Sequence, residues 1–109
     1  MREYEALLVL QPELEDEGVE EIIGHVASAV EADGGEVERK GQLVDKKGTI
    51  ADVEESWSTR RLAYTINGHD EGYFVIVHYR GPAESVESVE QALRLNEDVL
   101  RFLVTKTEL

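Results

Sequence analysis

A chain of 109 residues forms one domain that buries a core of its own, and a hydrophobic content of 41% is ordinary for a globular protein. The sequence contains no cysteine, which excludes disulfide frameworks and thiolate chemistry, and no apolar run approaches the ~20 residues of a membrane span, so we expect a soluble cytoplasmic protein. With 24 acidic and 11 basic side chains the net charge is −13, which argues against a broad basic surface that grips nucleic acid.

The first part of the chain has the pattern of a strand, a helix and a second strand. Residues 2–10 form the predicted first strand, in which alternate apolar side chains share a face. These are Tyr4, Ala6, Leu8 and Leu10. Residues 15–32 predict a helix, because apolar residues recur at intervals of three and four, and the paired glycines at 34–35 end it. Alternating polar residues in 36–43 predict an exposed edge strand.

The middle of the chain leaves the sheet and rejoins it. Residues 43–56 have the pattern of an excursion out of the second strand, with a tight turn predicted at 45–48. The chain returns at Trp57 and enters the stretch 57–67, in which apolar or aromatic residues alternate with small or polar ones. This period of two predicts a strand with one buried face.

A long hairpin and a second helix complete the chain. Residues 67–72 predict the hairpin turn, since two glycines and an asparagine tolerate positive φ. Residues 72–79 are β-branched and aromatic almost throughout, which predicts a central strand covered on both faces. The second helix opens at Pro82 and ends near 95–96, and residues 99–106 form the last predicted strand.

The predicted order, β-α-β-β-α-β, consists of two strand–helix–strand halves joined by a hairpin. Right-handed crossovers in both halves give an α+β fold, the ferredoxin-like sandwich, with a four-stranded antiparallel sheet and two helices on one face. The chain, 1–109, is then a single domain with an insertion at about 43–56. The other sheet face stays open, and an apolar patch there predicts a partner-binding surface unless the excursion folds over it. The residues expected on that face are Leu7, Val9, Phe74, Ile76 and Leu103.

The sequence has no pattern typical of a catalytic or metal site. The three histidines, His25, His69 and His78, share no ligand spacing, and no cysteine is available to complete a metal site. There is no G-x-S-x-G nucleophile motif and no glycine-rich phosphate loop that opens a helix. We therefore expect neither an enzyme nor a bound cofactor.

Arg60, Arg61 and Tyr64 form the one group of residues that favours recognition, because guanidiniums bind phosphate and an aromatic ring stacks on a base. The run that contains them, 58–67, resembles the signature of the bacterial small-subunit ribosomal protein S6 family, a basic pair followed by Leu-Ala-Tyr-x-Ile. Four other stretches are similar to that family. They are residues 2–5, 11–12, 72–74 and 95–101.

The resemblance implies a structural constituent of the small ribosomal subunit, located on the ribosome in the cytoplasm. It implies binding to 16S ribosomal RNA together with the small basic protein S18, with no membrane and no small-molecule substrate. The residues expected at the RNA are Arg2, Arg60, Arg61, Tyr64 and Arg101. For Tyr64 and Leu62, packing in the core is the alternative role. The chain departs from the family at Ser58, where glycine is usual, at Thr65, where proline is common, and in the insertion.

Another class of function fits the same predicted fold. A ferredoxin-like regulatory or ligand-binding module that dimerises through its open sheet face is the alternative. An acylphosphatase-like enzyme would need a glycine-rich anion loop with an arginine after the first strand, and this sequence lacks one. Solubility, including adaptation to high salt, is one explanation for the acidic balance.

Overall fold

The computed structural model describes residues 1–44, 49–53 and 56–107 of the chain. These residues form two helices and one antiparallel sheet, which confirms the predicted α+β class. In chain order the elements are β1 (Arg2–Leu10), α1 (Asp16–Ala32), β2 (Glu36–Leu43), β3 (Ile50–Ala51), β4 (Thr59–Ile66), β5 (His69–Gly81), α2 (Ser85–Arg94) and β6 (Val99–Lys106). The turn predicted at 45–48 lies outside the described residues.

Strand β5 lies at the centre of the sheet. The order across the sheet is β3-β2-β5-β1-β6, and β4 also pairs with β5. Strand β1 runs along one edge of β5, whereas β2 and β4 share the other edge. The described sheet therefore has six strand segments where four were predicted, because the second strand is interrupted and the excursion contributes β3.

The shared edge of β5 changes partner at Phe74. Gln42 of β2 lies opposite Val75. Thr59 of β4 lies opposite Tyr73, so Phe74 between them has no register partner on this edge. The chain thus stops pairing with β5 at the end of β2 and pairs with it again at the start of β4, on the two sides of Phe74.

The hairpin between β4 and β5 is tighter than the sequence predicted. Asn67 has a φ of 50° and Gly68 a φ of 83°, and Ile66 pairs with His69 directly across them. Two residues with positive φ are enough to close an antiparallel hairpin whose twist matches its strands. The prediction of a turn over 67–72 was therefore wrong at its far end, where the polar residues already belong to β5.

Both helices pack on one face of the sheet and form the core with it. The predicted inward face of β1 is confirmed, since every member is at most 6% exposed. The buried sheet residues on this side are Tyr4, Ala6, Leu8, Leu10, Tyr73, Val75, Val77 and Tyr79. They meet a helical layer made of Val19, Ile22, Ile23, Val26, Val30, Val89 and Leu93. The opposite face of the sheet has no helix over it among the described elements.

Tyr79 places a hydroxyl group inside this core. The side chain is fully buried, and its hydroxyl has no hydrogen-bond partner among the described residues. The neighbouring Ser85 hydroxyl donates to the carbonyl of Pro82 at 2.6 Å instead. Burial raises the pKa of Tyr79, because the phenolate would lose its hydration there.

Gly35 allows β2 to start directly against β5. Helix α1 ends at Ala32 and is followed by Gly34, whose φ is 82°. The next residue lies under the β5 backbone. A Cβ atom at Gly35 would lie 2.2 Å from the carbonyl oxygen of Arg80 and 2.8 Å from Val30 Cγ1. Only glycine fits this approach of helix end to strand.

Candidate functional site

Trp57 anchors the chain just before it enters β4. Its side chain is only 6% exposed and belongs to the core cluster. The indole Nε1 donates to Glu20 Oε1 at 3.2 Å, and the Trp57 backbone N–H donates to Asp16 Oδ1 at 3.2 Å. Both acceptors lie in the first turns of α1, so two carboxylates of the acidic helix fix the start of β4.

Lys40 of β2 completes this anchor. Its Nζ lies 2.7 Å from Glu20 Oε2, so Glu20 holds a strand and the returning chain at the same time. The hydrogen bond from Lys40 is the largest cause that lowers the pKa of Glu20. Burial opposes it, and the weaker effect of the bond from Trp57 also lowers the pKa. The carboxylate is thus stabilised in its charged form.

Arg60 lies where the strand paired with β5 changes from β2 to β4. Its Nη1 donates to the carbonyl oxygen of Leu43, the last residue of β2, at 3.0 Å. Its guanidinium also lies over the ring of Phe74, 5.5 Å from the centroid, in a cation–π contact. Two residues before Arg60, the backbone N–H of Ser58 donates to Gln42 Oε1 at 3.1 Å. The side chain of Arg60 is therefore half-buried and engaged.

Arg61 has a different environment from its neighbour. Successive side chains of a strand point to opposite faces, so the two guanidiniums cannot grip one phosphate as a pair. Arg61 is exposed, and no hydrogen bond or ion pair holds its side chain within the described part of the chain. Glu71 is its register partner on β5, and the two charges lie outside ion-pair distance.

The β4–β5 hairpin reaches across the open face of the sheet. Tyr64, at 56% exposure, does not pack in the core, and its hydroxyl contacts the guanidinium of Arg101 on β6. Arg101 also lies 5.9 Å from the centroid of the Tyr64 ring. Because β5 and β1 lie between β4 and β6 in the sheet, this contact spans two strands.

A cleft of about 330 Å³ lies beneath this hairpin. Its lining combines residues of β1, β4, β5 and β6 and is mainly apolar. The lining residues are Leu7, Val9, Leu62, Ala63, Tyr64, Ile66, Phe74, Arg101, Phe102 and Leu103. The cleft therefore joins residues expected at the RNA with residues expected at a protein partner, which the sequence had treated as separate surfaces.

The five residues expected on the open face differ in what they leave accessible. Leu103 is 57% exposed, whereas Leu7 and Phe74 are half-buried. Val9 is 6% exposed and Ile76 is 2% exposed, so these two offer little surface to another molecule, and Ile76 does not line the cleft. Residues of the β4–β5 hairpin cover the cleft, and among the described residues none of the excursion lines it.

Arg2 lies apart from the other arginines. It is exposed and pairs with Gly81 at one end of β5, whereas Arg60 pairs with Gly72. The two positions are nine residues apart along one strand, or about 30 Å at about 3.3 Å per residue. The five residues expected at the RNA therefore do not form a single cluster.

The described residues contain no group of three or more His, Asp or Glu side chains that could hold a metal ion. In the same part of the chain, neither helix has the length and apolar content required to span a bilayer. His78 hydrogen-bonds Glu5 at 3.0 Å across the strands, which is an ordinary pairing on the sheet surface.

Comparison with known proteins gives the family. A family model described as ribosomal protein S6 matches residues 37–106, and the small ribosomal subunit protein bS6 of Desulfitobacterium hafniense is 33% identical over 109 residues, 99% of either chain. The chain belongs to the ribosomal protein S6 family. The bS6 protein of Carboxydothermus hydrogenoformans is 32% identical over 108 residues, which cover 99% of this chain and 98% of that one. Members of this family are structural proteins and not enzymes, as the sequence predicted.

A solved structure agrees with the fold. The crystal structure of 30S ribosomal protein S6 from Thermotoga maritima matches with a TM-score of 0.77 at 18% identity, covering 97% of this chain and 87% of that one. At this identity the match concerns the fold, and it confirms the ferredoxin-like sandwich.

Sequence reasoning missed the anchor around Trp57. The signal was present in the spacing of α1, where Asp16 and Glu20 lie four residues apart and so share one face of the helix. The spacing does not show which distant group donates hydrogen bonds to these carboxylates. The role of Arg60 was missed for the same reason, since its acceptor lies 17 residues earlier.

Proposed function

We propose that this chain is a structural constituent of the small ribosomal subunit, located in the cytoplasm, and that it binds 16S ribosomal RNA together with the small basic protein S18. Membership of the S6 family supports the ribosomal role. The observation that carries the RNA-binding part is the exposed β4–β5 hairpin, which presents arginine and tyrosine at the edge of a very acidic protein.

The distribution of charge supports this reading. The carboxylates of α1 lie on the helical side of the sheet, and two of them are already used to hold Trp57. Four arginines alternate onto the opposite side of the strands. They are Arg39, Arg60, Arg80 and Arg101. The open side therefore carries guanidiniums, whereas the helical side carries the carboxylates of α1. Arg61, whose side chain points away from that of Arg60, is not among these four.

The net charge of −13 explains why a basic partner is part of the proposal. Phosphates repel the protein as a whole, and phosphate contacts supply most of the binding free energy in such complexes. Pairing with a cationic protein reverses that balance before the RNA is met. The affinity for RNA then belongs to the pair rather than to this chain alone.

The partner surface in this proposal is the open sheet face around the cleft. Leu103, Leu7 and Phe74 keep accessible apolar surface there, with Val9 and Ile76 beneath them. An apolar patch rimmed by charged side chains is typical of a protein–protein contact. Leu103→Glu should therefore weaken binding to S18, whereas Leu95→Glu, at an exposed leucine just after α2, serves as the control.

The test measures binding to a 16S central-domain RNA fragment by this chain alone, by S18 alone and by both together. We expect weak binding by the chain alone and binding by the pair at least tenfold tighter than by either protein. Equal affinity of the chain with and without S18 would contradict the proposed mechanism.

The alternative, a ligand-binding module that dimerises through its open face, is favoured by one observation. The cleft of about 330 Å³ is within the size range of small-molecule sites. Size-exclusion chromatography separates the two functions. A stable homodimer that does not form a complex with S18 would favour the module, and a monomer that elutes with S18 would favour the ribosomal role.

A further inference from the structure

The geometry points to a division of roles between the two adjacent arginines of the 58–67 run. We propose that Arg60 is a positioning residue that joins the end of β2 to the start of β4, and that Arg61 is the one of the two that contacts RNA phosphate. The inference rests on the proposed function for its second half only, since the role of Arg60 is carried by the free protein.

The first step is the break in the sheet edge. A continuous strand along this edge would pair with β5 without interruption, but here the partner changes at Phe74, and neither β2 nor β4 has a residue opposite it. Backbone groups at such a break lose the support of neighbouring ladder bonds. Something other than the ladder must therefore hold the two strand ends in line.

Arg60 supplies that support from both sides of the break. Its guanidinium donates to the carbonyl oxygen of Leu43 on one side, and its own backbone pairs with Gly72 on the other. The same guanidinium covers the ring of Phe74 at the unpaired position. A planar guanidinium combines a directed hydrogen bond with stacking, which the compact ammonium group of lysine does not reproduce.

Neighbouring contacts act in the same direction. Trp57 is fixed to α1, and Ser58 is fixed to the side chain of Gln42, so successive residues enter β4 along a fixed path. Arg60 is the last of these anchors before the hairpin extends beyond the helices. Its loss should therefore loosen the hairpin more than it loosens the core.

Arg61 has the properties that a phosphate contact requires. It is exposed, it lies on the helical side of the sheet, opposite to Arg60, and no described residue holds its side chain. Glu71 opposite it lowers the local positive charge, so removal of that carboxylate should strengthen RNA binding. Arg60 and Arg61 carry the same formal charge, but only Arg60 is held by other described residues. Their substitution should therefore affect the structure of β4 and the binding of RNA differently.

The experiment compares Arg60→Gln with Arg61→Gln, which remove the same charge from neighbouring positions of one strand. Hydrogen exchange of the β4 backbone amides is measured first, in the free protein. We expect exchange at least threefold faster in R60Q and unchanged in R61Q. The variant R60K keeps the charge, and we expect it to restore the exchange rates only in part.

RNA binding by the pair with S18 is then measured between about 50 and 200 mM salt. We expect R61Q to reduce the slope of log affinity against log salt by about 0.7–0.9, the contribution of one phosphate contact. R60Q should weaken binding at every salt concentration without changing that slope. A slope is insensitive to a constant fraction of misfolded protein, so a destabilised R60Q still gives an interpretable result.

Each outcome bears on one half of the proposal. If β4 exchange in R60Q equals that of the wild type, Arg60 is not a positioning residue, whatever the RNA data show. If R60Q reduces the salt slope and R61Q does not, the two roles are reversed. If the wild-type pair does not bind the RNA, the proposed function fails and the phosphate role of Arg61 fails with it, whereas the exchange data still decide the role of Arg60.

Discussion

Replacing Trp57 by phenylalanine should lower the free energy of unfolding by about 2–3 kcal/mol. The indole ring is 6% exposed, and phenylalanine has two fewer ring carbons, worth about 0.8 kcal/mol each when buried. The lost hydrogen bond to the Glu20 carboxylate would be worth about 1.5–3 kcal/mol if fully buried. Because the Glu20 side chain is 45% exposed, solvent screening reduces this contribution to about 1 kcal/mol.

The measurement is urea unfolding followed by far-UV circular dichroism. Trp57 is the single tryptophan of the chain, so its fluorescence cannot follow the variant. The slope of the free energy against urea should stay constant, because the surface exposed on unfolding hardly changes. A shift in slope would indicate a change in the unfolded or native ensemble rather than the loss of an anchor.

A double-mutant cycle with Glu20→Ala isolates the hydrogen bond from the loss of packing. We expect a coupling free energy of about 1 kcal/mol between the two positions. Glu13→Ala, an exposed carboxylate that precedes α1, is the matched control and should show no coupling. A coupling below about 0.3 kcal/mol for Trp57 and Glu20 would refute the claim that this bond holds the start of β4.

Three further predictions concern stability. Gly35→Ala should lower the free energy of unfolding in urea by more than about 2 kcal/mol, because its Cβ would lie 2.2 Å from the Arg80 carbonyl oxygen. Gly24→Ala is the control, and because its Cβ has open space around it, this change should raise the free energy of unfolding by about 0.5–1 kcal/mol. Tyr79→Phe should leave stability unchanged or raise it by up to about 1 kcal/mol, because the buried hydroxyl has no partner, and thermal melts that show a loss would contradict this. Folding lowers the pKa of Glu20, so the Glu20 carboxylate stabilises the folded protein when the pH is above 4.5, its ordinary pKa. This stabilisation is lost as the pH falls below 4.5, so Glu20→Gln should flatten the dependence of unfolding free energy on pH in that range.

The elements of this fold were largely predictable because their signals are local. The alternation in β1 identified the inward face that the structure shows, and the spacing of α1 identified its buried stripe. The bounds predicted for the first and last strands agree with β1 and β6. In each case a period of two or of 3.6 residues reports directly on which face is buried.

The candidate site was less predictable because its contacts are long-range. Tyr64 alternates like a core residue, yet a register shift in β4 and the reach of the hairpin bring it to Arg101 across two strands. The bond between Arg60 and Leu43 joins residues separated by the whole excursion. No periodicity encodes such pairs, since they depend on where the chain returns to the sheet.

The separation of acidic helices from the arginines on the open side gives the molecule an electric dipole. A polyanion at a distance exerts a torque on such a molecule. The protein therefore rotates before contact, and encounters through α1 become less frequent. Added salt would shorten the range of this torque. The surplus of carboxylates would then serve orientation, and not solubility alone.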